Sequence, residues 1–189
     1  EQETLGEKHP STLISLSNLA LLFNLQGRYS EAITLNEKVL RIKQETLGEK
    51  HPSTLKSLGN LALLFSLQGR YSEAIPLHEK VLRIEQETLG EKHPSTLTSL
   101  NNLGLIYKNM ERYADAAPLI EKGLRLAEEI LGEKHPDTLN SLNNLAGLYS
   151  EIGRYADAEQ MVKKELRLKK EVFGEKHPAA LYALNNLAF

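Results

Sequence analysis

The sequence contains no cysteine and no tryptophan, and it has no long apolar run. Without cysteine there can be no disulfide framework, thiolate metal site or cysteine nucleophile, and the chain suits a reducing compartment. We therefore expect a cytoplasmic location. The longest unbroken apolar stretches, such as Leu19–Phe23, are far shorter than the ~20 residues that a membrane-spanning helix needs. We expect no membrane partner.

Charge of one sign is not in excess either. The 23 basic and 25 acidic residues leave a formal net charge of −2, so no global field attracts nucleic acid. The densest basic stretch, Lys163–Glu171, interleaves its cations with Glu165 and Glu171. This pattern predicts the wet outer face of a helix, and we expect no nucleic-acid partner.

What the sequence does contain is a repeat. The string Leu-Gly-Glu-Lys-His-Pro recurs every 42 residues from Leu5, with a copy led by Phe173. The first two full copies are identical at 36 of 42 positions, which indicates recent duplication. We expect residues 1–8 to be the tail of a truncated preceding repeat, repeats 1 to 4 to span 9–50, 51–92, 93–134 and 135–176, and 177–189 to be the first helix of a truncated fifth repeat. Together they would form one repeat domain, interpreted as a segment of a longer array.

The sequence pattern within each repeat predicts two helices. The first starts near Pro10, which suits a first helical turn, and Gly27 supplies a left-handed stop. The second runs from about Ser30 to Leu47. The residues at helical spacing, and so predicted to be buried, are Leu13, Leu16, Leu19, Ala20, Leu22 and Phe23 on the first helix, and Ala32, Leu35, Val39, Leu40 and Ile42 on the second. Short loops make neighbouring helices antiparallel, and stacking of the pairs buries a continuous core.

Two repeat positions are always small, which predicts close approach of the helix backbones. They are Ala20, Ala62, Gly104, Ala146 and Ala188 on the first helices, and Ala32, Ala74, Ala116 and Ala158 on the second helices. Small side chains let the two backbones of a pair come near each other.

These residues carry a family resemblance. Leu16-x-x-Leu19-Ala20-x-x-Phe23, followed by Gly-Arg-Tyr-x-Glu-Ala from Gly27, resembles the tetratricopeptide repeat. The 42-residue length, with Ser-Leu-Asn-Asn-Leu-Ala-x-Leu-Tyr, is similar to the kinesin light chain-type repeat, and the lettering to bacterial, notably cyanobacterial, kinesin light chain-like proteins. The resemblance implies an all-α fold, a tetratricopeptide-repeat right-handed superhelix (α-solenoid) of antiparallel helix pairs. One departure is Glu111, which replaces the turn glycine of repeat 3.

Residues for catalysis or metal binding are not grouped in the sequence. One histidine precedes the proline of each repeat, and these five are interpreted as helix-start or packing residues: His9, His51, His93, His135 and His177. His78 stands alone on a second helix and is expected to be solvated. No glycine-rich phosphate loop, His-Glu-x-x-His motif or nucleophile elbow is present. We therefore predict no enzyme activity, no catalytic residue, no metal site and no cofactor.

Asparagine is the informative residue. Eleven of the twelve asparagines fall on first helices, although asparagine costs up to ~0.7 kcal/mol relative to alanine in a helix. The resemblance implies that first helices line a concave groove. Two hypotheses stay open: the amides bind the backbone of a peptide, or each amide bonds to the adjacent repeat. The predicted groove residues are Asn18, Lys56, Asn60, Asn101, Asn102, Lys108, Asn140, Asn143, Asn144 and Asn185.

The predicted lining changes along the groove. Repeats 1 and 2 offer leucines, and repeats 3 and 4 offer polar residues: Leu21, Leu25, Leu63 and Leu67, then Lys108, Asn109, Asn140 and Glu151. This gradient predicts a ligand with an apolar end and a polar end. Some tetratricopeptide domains clamp a terminal carboxylate with side chains of three repeats. Lys56, Asn60 and Asn102 match the first two of these repeats, but the next repeat offers Asn140 and Asn144 and no cation at this place, so we expect no carboxylate clamp.

The leading hypothesis is a non-catalytic protein–protein interaction scaffold that binds a peptide or protein segment in the groove. The first alternative is self-assembly into a homo-oligomer through exposed terminal helices, since Leu181, Leu184 and Leu187 would have no second helix to cover them. The second alternative is a regulatory or sensor array within a larger multidomain signalling protein.

Overall fold

The computed structural model describes residues 6–179, 181 and 183, and this part of the chain folds into α-helices without a strand. The helices are α1 (Pro10–Leu25), α2 (Tyr29–Leu47), α3 (Pro52–Leu67), α4 (Tyr71–Thr88), α5 (Pro94–Asn109), α6 (Tyr113–Leu131), α7 (Pro136–Glu151) and α8 (Tyr155–Phe173). A further helix begins at Pro178. The chain forms two compact units: α1–α4 belong to the first, which ends at Thr88, and α5–α8 to the second, which starts at Leu89. The all-α prediction is confirmed.

The His-Pro pair starts each first helix. His9 is the N-cap of α1, and its Nδ1 accepts a hydrogen bond of 3.2 Å from the backbone N–H of Ser11. The same bond forms at His51, His93, His135 and His177, with lengths of 3.1 to 3.2 Å. Capping satisfies a backbone donor that the first helical turn leaves unpaired. The predicted helix-start role of these histidines is confirmed.

The charges of the Gly-Glu-Lys-His-Pro loop tie it to the following second helix. Lys38 Nζ lies 2.8 Å from a carboxylate oxygen of Glu7, and Lys8 Nζ lies 3.0 Å from Glu45. The repeat-equivalent pairs are Lys80–Glu49, Lys50–Glu87, Lys122–Glu91, Lys92–Glu129, Lys164–Glu133 and Lys134–Glu171. The hydrogen bond from Lys38 holds the pKa of Glu7 below its usual value. Exposed pairs contribute little each, but their regular recurrence explains why the loop sequence repeats.

The turn inside each helix pair is held by an arginine. The guanidinium of Arg28 lies 4.1 Å from the ring centroid of Phe23 and also binds the Glu31 carboxylate. Gly27, just before it, has a φ of 71°, which favours glycine. Arg70, Arg112 and Arg154 stack on the equivalent rings at 4.4, 4.6 and 4.0 Å. This contact accounts for the arginine of the Gly-Arg-Tyr motif.

Glu111 has a φ of 59° and is the non-glycine residue with positive φ in the described part of the chain. A side chain in this region is strained, whereas glycine adopts it freely. We expect Glu111→Gly to raise the free energy of unfolding by about 0.5–1 kcal/mol. Urea unfolding checks this, with Lys176→Gly as a control at an exposed, non-helical position without a positive φ. A Glu111→Gly variant that is less stable than the parent would contradict it.

The first unit contains a buried core on α3. Leu55, Leu58, Leu61 and Leu64 are 3–5% exposed, because α3 packs against both α2 and α4. The equivalent stripe on α1 is less covered. Leu19 and Leu22, predicted to be buried, are 40% and 54% exposed, so the prediction is wrong there. The reason is that α1 packs mainly against α2 alone.

Close helix approach is confirmed at the small positions. Ala32, Ala74 and Ala116 are fully buried. At Gly104 a Cβ atom would lie 2.7 Å from Ile120 Cγ1, closer than carbon atoms pack. Gly104 therefore lets α6 approach α5 more closely than alanine would.

Two polar residues predicted to be solvated are buried instead. His78 is 4% exposed, because its repeat position faces the interior. Asn36 and Ile120 stand at the same position in their repeats and are buried too. Glu165 is 0% exposed and lies 2.5 Å from Lys169 Nζ. The prediction of a wet helix face is therefore wrong at Glu165. Three other cations of that stretch form ion pairs, in the contacts Lys163–Glu159, Lys164–Glu128 and Lys170–Glu175.

Candidate functional site

One face of each first helix carries exposed side chains on α1 and α3, and a mixture of exposed and half-buried residues on α5 and α7. The residues of this face, called the exposed stripe below, follow helical spacing of four, three and four. They are Ile14, Asn18, Leu21 and Leu25 on α1; Lys56, Asn60, Leu63 and Leu67 on α3; Thr98, Asn102, Leu105 and Asn109 on α5; and Asn140, Asn144, Gly147 and Glu151 on α7. On α1 and α3 the stripe carries bare leucines: Leu21, Leu25, Leu63 and Leu67 are 55%, 75%, 49% and 48% exposed.

The stripe of the first unit borders a cleft of about 520 Å³. This first cleft lies between α1, the C-terminal end of α2, and α3. Its lining residues are Lys8, Pro10, Leu13, Ile14, Ser17, Asn18, Lys43, Thr46, Leu47, Ser53, Lys56, Ser57 and Asn60. The lining therefore contains three lysines and no carboxylate.

Lys43 is the polar centre of the first cleft. Its Nζ donates to Ser57 Oγ at 2.8 Å and to the Ser53 carbonyl at 3.3 Å. Burial, and after it the positive charge of Lys56, lower the pKa of Lys43. Both effects disfavour the charged form, so an anion placed beside Lys43 would be stabilised.

The second unit has an equivalent cleft of about 170 Å³ between α5, α6 and α7. This second cleft is lined by Pro94, Leu97, Thr98, Asn101, Asn102, Leu105, Ala127, Leu131, Asp137, Asn140, Ser141 and Asn144. Its positions match those of the first cleft, 84 residues later. Ala127 stands in the place of Lys43 and Asn140 in that of Lys56. The second cleft is therefore lined by amides and has no cation.

Asn101 spans the second cleft rather than facing solvent. Its Nδ2 donates to Ser141 Oγ of the next first helix at 3.1 Å. Its Oδ1 is buried without a partner among the described residues, and it occupies the space where a Cβ atom on Gly123 would stand. At this position the structure supports the second of the two hypotheses for the asparagines, a bond to the adjacent repeat.

The remaining predicted groove residues differ in how exposed their side chains are. Lys108 is 18% exposed and lies 3.0 Å from Glu151, so it is a neutralised cation. Asn143 and Asn144 are half-buried. Lys56 and the other predicted asparagines that the structure describes have exposed side chains: Asn18, Asn60, Asn102 and Asn140. Asn185 lies outside the described residues. A ligand role for all of these stays a prediction.

Sequence reasoning missed Lys43, since it stands on a second helix and was not assigned to the groove. A signal existed. Position 43 is one of the six at which the first two repeats differ, with Glu85 as its counterpart. The position holds Lys43, Glu85, Ala127 and Lys169 in the four repeats, whereas most other positions of the second helix keep their chemical character.

The described residues offer neither a metal-ion cluster nor a membrane-spanning helix. Between residues 6 and 179 no three histidine or acidic side chains are grouped so that they could hold a metal ion. No helix of the described chain is long and apolar enough to cross a membrane.

Comparison with known proteins agrees with this geometry. The tetratricopeptide repeat family model matches residues 1–45, 25–85, 67–129 and 99–171. The chain belongs to the tetratricopeptide repeat family. Among proteins with curated descriptions, none matches the chain.

Solved structures place the chain more finely. A crystal structure from Podosopora anserina, of a protein assigned as a kinesin light chain with nearly identical TPR-like repeats, is 32% identical with a TM-score of 0.84, and the match covers 95% of this chain and 85% of that one. A variant of the same protein is 30% identical with a TM-score of 0.85, and the match covers 97% of this chain and 86% of that one. BtubC (BKLC) from P. vanneervenii is 24% identical, with a TM-score of 0.79 and coverage of 93% and 70%, and shows likeness of fold alone. The resemblance to kinesin light chain-type repeats is confirmed.

Proposed function

We propose that this chain is a non-catalytic scaffold that binds a peptide or protein segment along the exposed stripe of its first helices. A tetratricopeptide fold is consistent with protein–protein interaction in general. The single observation that carries the finer proposal is the stripe itself. On α1 and α3, leucines that are 48–75% exposed stand there beside the exposed amides of Asn18 and Asn60.

This combination suits a polypeptide ligand for two physical reasons. Exposed apolar side chains on one face gain free energy when a partner covers them. Asparagine amides offer both a donor and an acceptor, which the backbone of an extended or helical peptide can satisfy in any sequence. The leucines would then contribute affinity, and the amides would set the position of the ligand.

The two units differ in what they offer. The stripe ends in Leu25 and Leu67 on α1 and α3, but in Asn109 and Glu151 on α5 and α7. A ligand with an apolar segment for the first unit and a polar segment for the second would match both. This is the ligand class that the proposal names.

Selection of a random peptide library on the purified chain tests this function. We expect enrichment of peptides that bind the parent and that lose about fivefold or more in affinity on Asn102→Ala, Asn144→Ala or Leu67→Asn, each change removing about 1 kcal/mol. Leu67→Asn introduces the residue that Asn109 provides at the same repeat position. Fluorescence anisotropy measures the affinities.

The matched control is Gln160→Ala, which removes an exposed amide from α8, away from the exposed stripe. It should leave affinity unchanged. Stripe variants that bind as tightly as the parent, at an unchanged thermal midpoint, would overturn the proposed groove.

A further inference from the structure

We propose that the first cleft is an oxyanion subsite that takes the phosphorylated serine or threonine side chain of a peptide bound along the exposed stripe, with Lys43 and Lys56 as its cations. This inference rests on the proposed function, because the peptide must reach the cleft along the stripe. Its chemistry, however, also needs Lys43, which stands on α2 and lies outside the stripe.

The positive charge of the first cleft is not balanced by the protein. Lys8 is neutralised by Glu45 at 3.0 Å. Lys43 and Lys56 have no ion-pair partner among the described residues, and no carboxylate lines the cleft. Two positive charges thus face one space and repel each other. A ligand that carries negative charge would remove this repulsion.

An equivalent lysine in repeat 4 does have an anion within the protein. Lys169 stands at the repeat position of Lys43, and there the protein supplies its own anion, Glu165, 2.5 Å away. At the position of Glu165 the first repeat has Val39, a buried residue of the core. The same cation is therefore neutralised internally in repeat 4, but in repeat 1 the anion has to come from outside.

The charge of the first cleft favours a phosphate over a carboxylate. A phosphorylated side chain carries a charge of about −1.5 to −2 near pH 7, and a carboxylate carries −1. Two unpaired lysines match the phosphate better. Lys43 uses two of its three N–H donors on Ser57 and Ser53, so the third remains for the ligand. The amides of Asn18 and Asn60 line the same cleft and can donate to further phosphate oxygens.

Size agrees with this assignment. The first cleft, at about 520 Å³, is in the range of small-molecule sites, whereas the second, at about 170 Å³, is smaller and carries Asp137. An anion would meet like charge in the second cleft and two lysines in the first. The two clefts are formed by equivalent repeat positions, but their different side chains select different side chains of the ligand.

The test compares two peptide libraries that are identical except for a fixed central residue, phosphoserine in one and serine in the other. We expect the phosphoserine library to yield binders about tenfold tighter, since charge-assisted hydrogen bonds are the strong ones. Lys43→Ala and Lys56→Asn should each lower their affinity about tenfold, and Lys43→Ala, which lies outside the exposed stripe, should leave serine-library binders unchanged. Both variants introduce residues of the second cleft, Ala127 and Asn140. Lys56 is exposed, so its replacement does not disturb the core.

Lys163→Ala is the control for net charge, because it removes an exposed lysine of α8. It should not change phosphoserine binding. Equal affinity for the two libraries would overturn the phosphate subsite while the groove stands. Failure of both libraries would overturn the groove and the subsite together. A third library with central glutamate that binds as tightly as phosphoserine would also overturn the phosphate assignment.

Inorganic phosphate separates a free anion from a peptide-borne one. Titration of the chain followed by NMR should shift the amide signals of Ser53 and Ser57 only weakly at millimolar phosphate. If free phosphate binds tightly and depends on Lys43 while phosphopeptides gain nothing over serine peptides, the cleft is an ion site and the proposal is wrong.

Discussion

Lys169→Ala should destabilise the second unit by about 3–5 kcal/mol, because removal of one partner of a buried ion pair leaves an uncompensated buried charge. Glu165 is 0% exposed. Lys169 is the cation that lies 2.5 Å from it. Urea unfolding followed by circular dichroism measures the loss.

The repeats themselves provide the rescue variant. Val39 and Val81 occupy the position of Glu165, and Ala127 that of Lys169. The double variant Glu165→Val with Lys169→Ala should therefore recover most of the stability, since apolar replacement of a whole buried pair is often neutral or stabilising. A double variant as unstable as Lys169→Ala alone would show that the two side chains are not coupled.

Acid should destabilise the first unit through His78. Burial lowers the pKa of His78 from 6.5 to about 4, and its Nε2 is buried without a hydrogen-bond partner among the described residues. In the unfolded chain the same group takes up a proton near its ordinary pKa, so acid favours unfolding. Stability is fully present above about pH 6.5 and falls as the pH drops to about 4. The loss from this group is about 3 kcal/mol.

His78→Asn isolates the effect, because Asn36 occupies the same position in the first repeat and donates to the Ala32 carbonyl at 2.9 Å. Carboxylates titrate in both proteins, so only the difference between the two stability curves reports on the histidine. We expect the parent to lose about 3 kcal/mol more than His78→Asn between pH 7 and pH 4. Parallel curves would contradict the buried, neutral histidine.

Much of the fold was predictable from single residues, because its signals are local. Pro10 and Gly27 marked the ends of the first helix, and Ala32 and Gly104 marked places of close approach. The histidine before each proline was correctly interpreted as a helix-start residue, since capping joins residues two positions apart. Leu19 and Leu22 were the exception, because their burial requires a helix on the outer side of α1.

The candidate site was predictable only in part. Exposed amides such as Asn18, Asn60 and Asn102 follow from the helical spacing of the stripe. Asn101 is also an asparagine and stands next to Asn102, but its side chain donates to Ser141 across the second cleft. Single-sequence periodicity cannot separate these two cases, because they differ in which residue of another helix lies opposite.

The sequence has no cysteine, no tryptophan and no long apolar run, and it builds its core from repeated helix pairs. The sequence by itself determined these helix pairs, their caps and their close-packed positions. These depend on contacts within one repeat, and every copy repeats the evidence. Tertiary structure alone decided that His78 and Glu165 are buried and that no carboxylate lines the cleft around Lys43. The physical reason is that charge balance in a cleft depends on side chains from three helices, and one substitution per repeat changes it without altering the pattern that forms the helices.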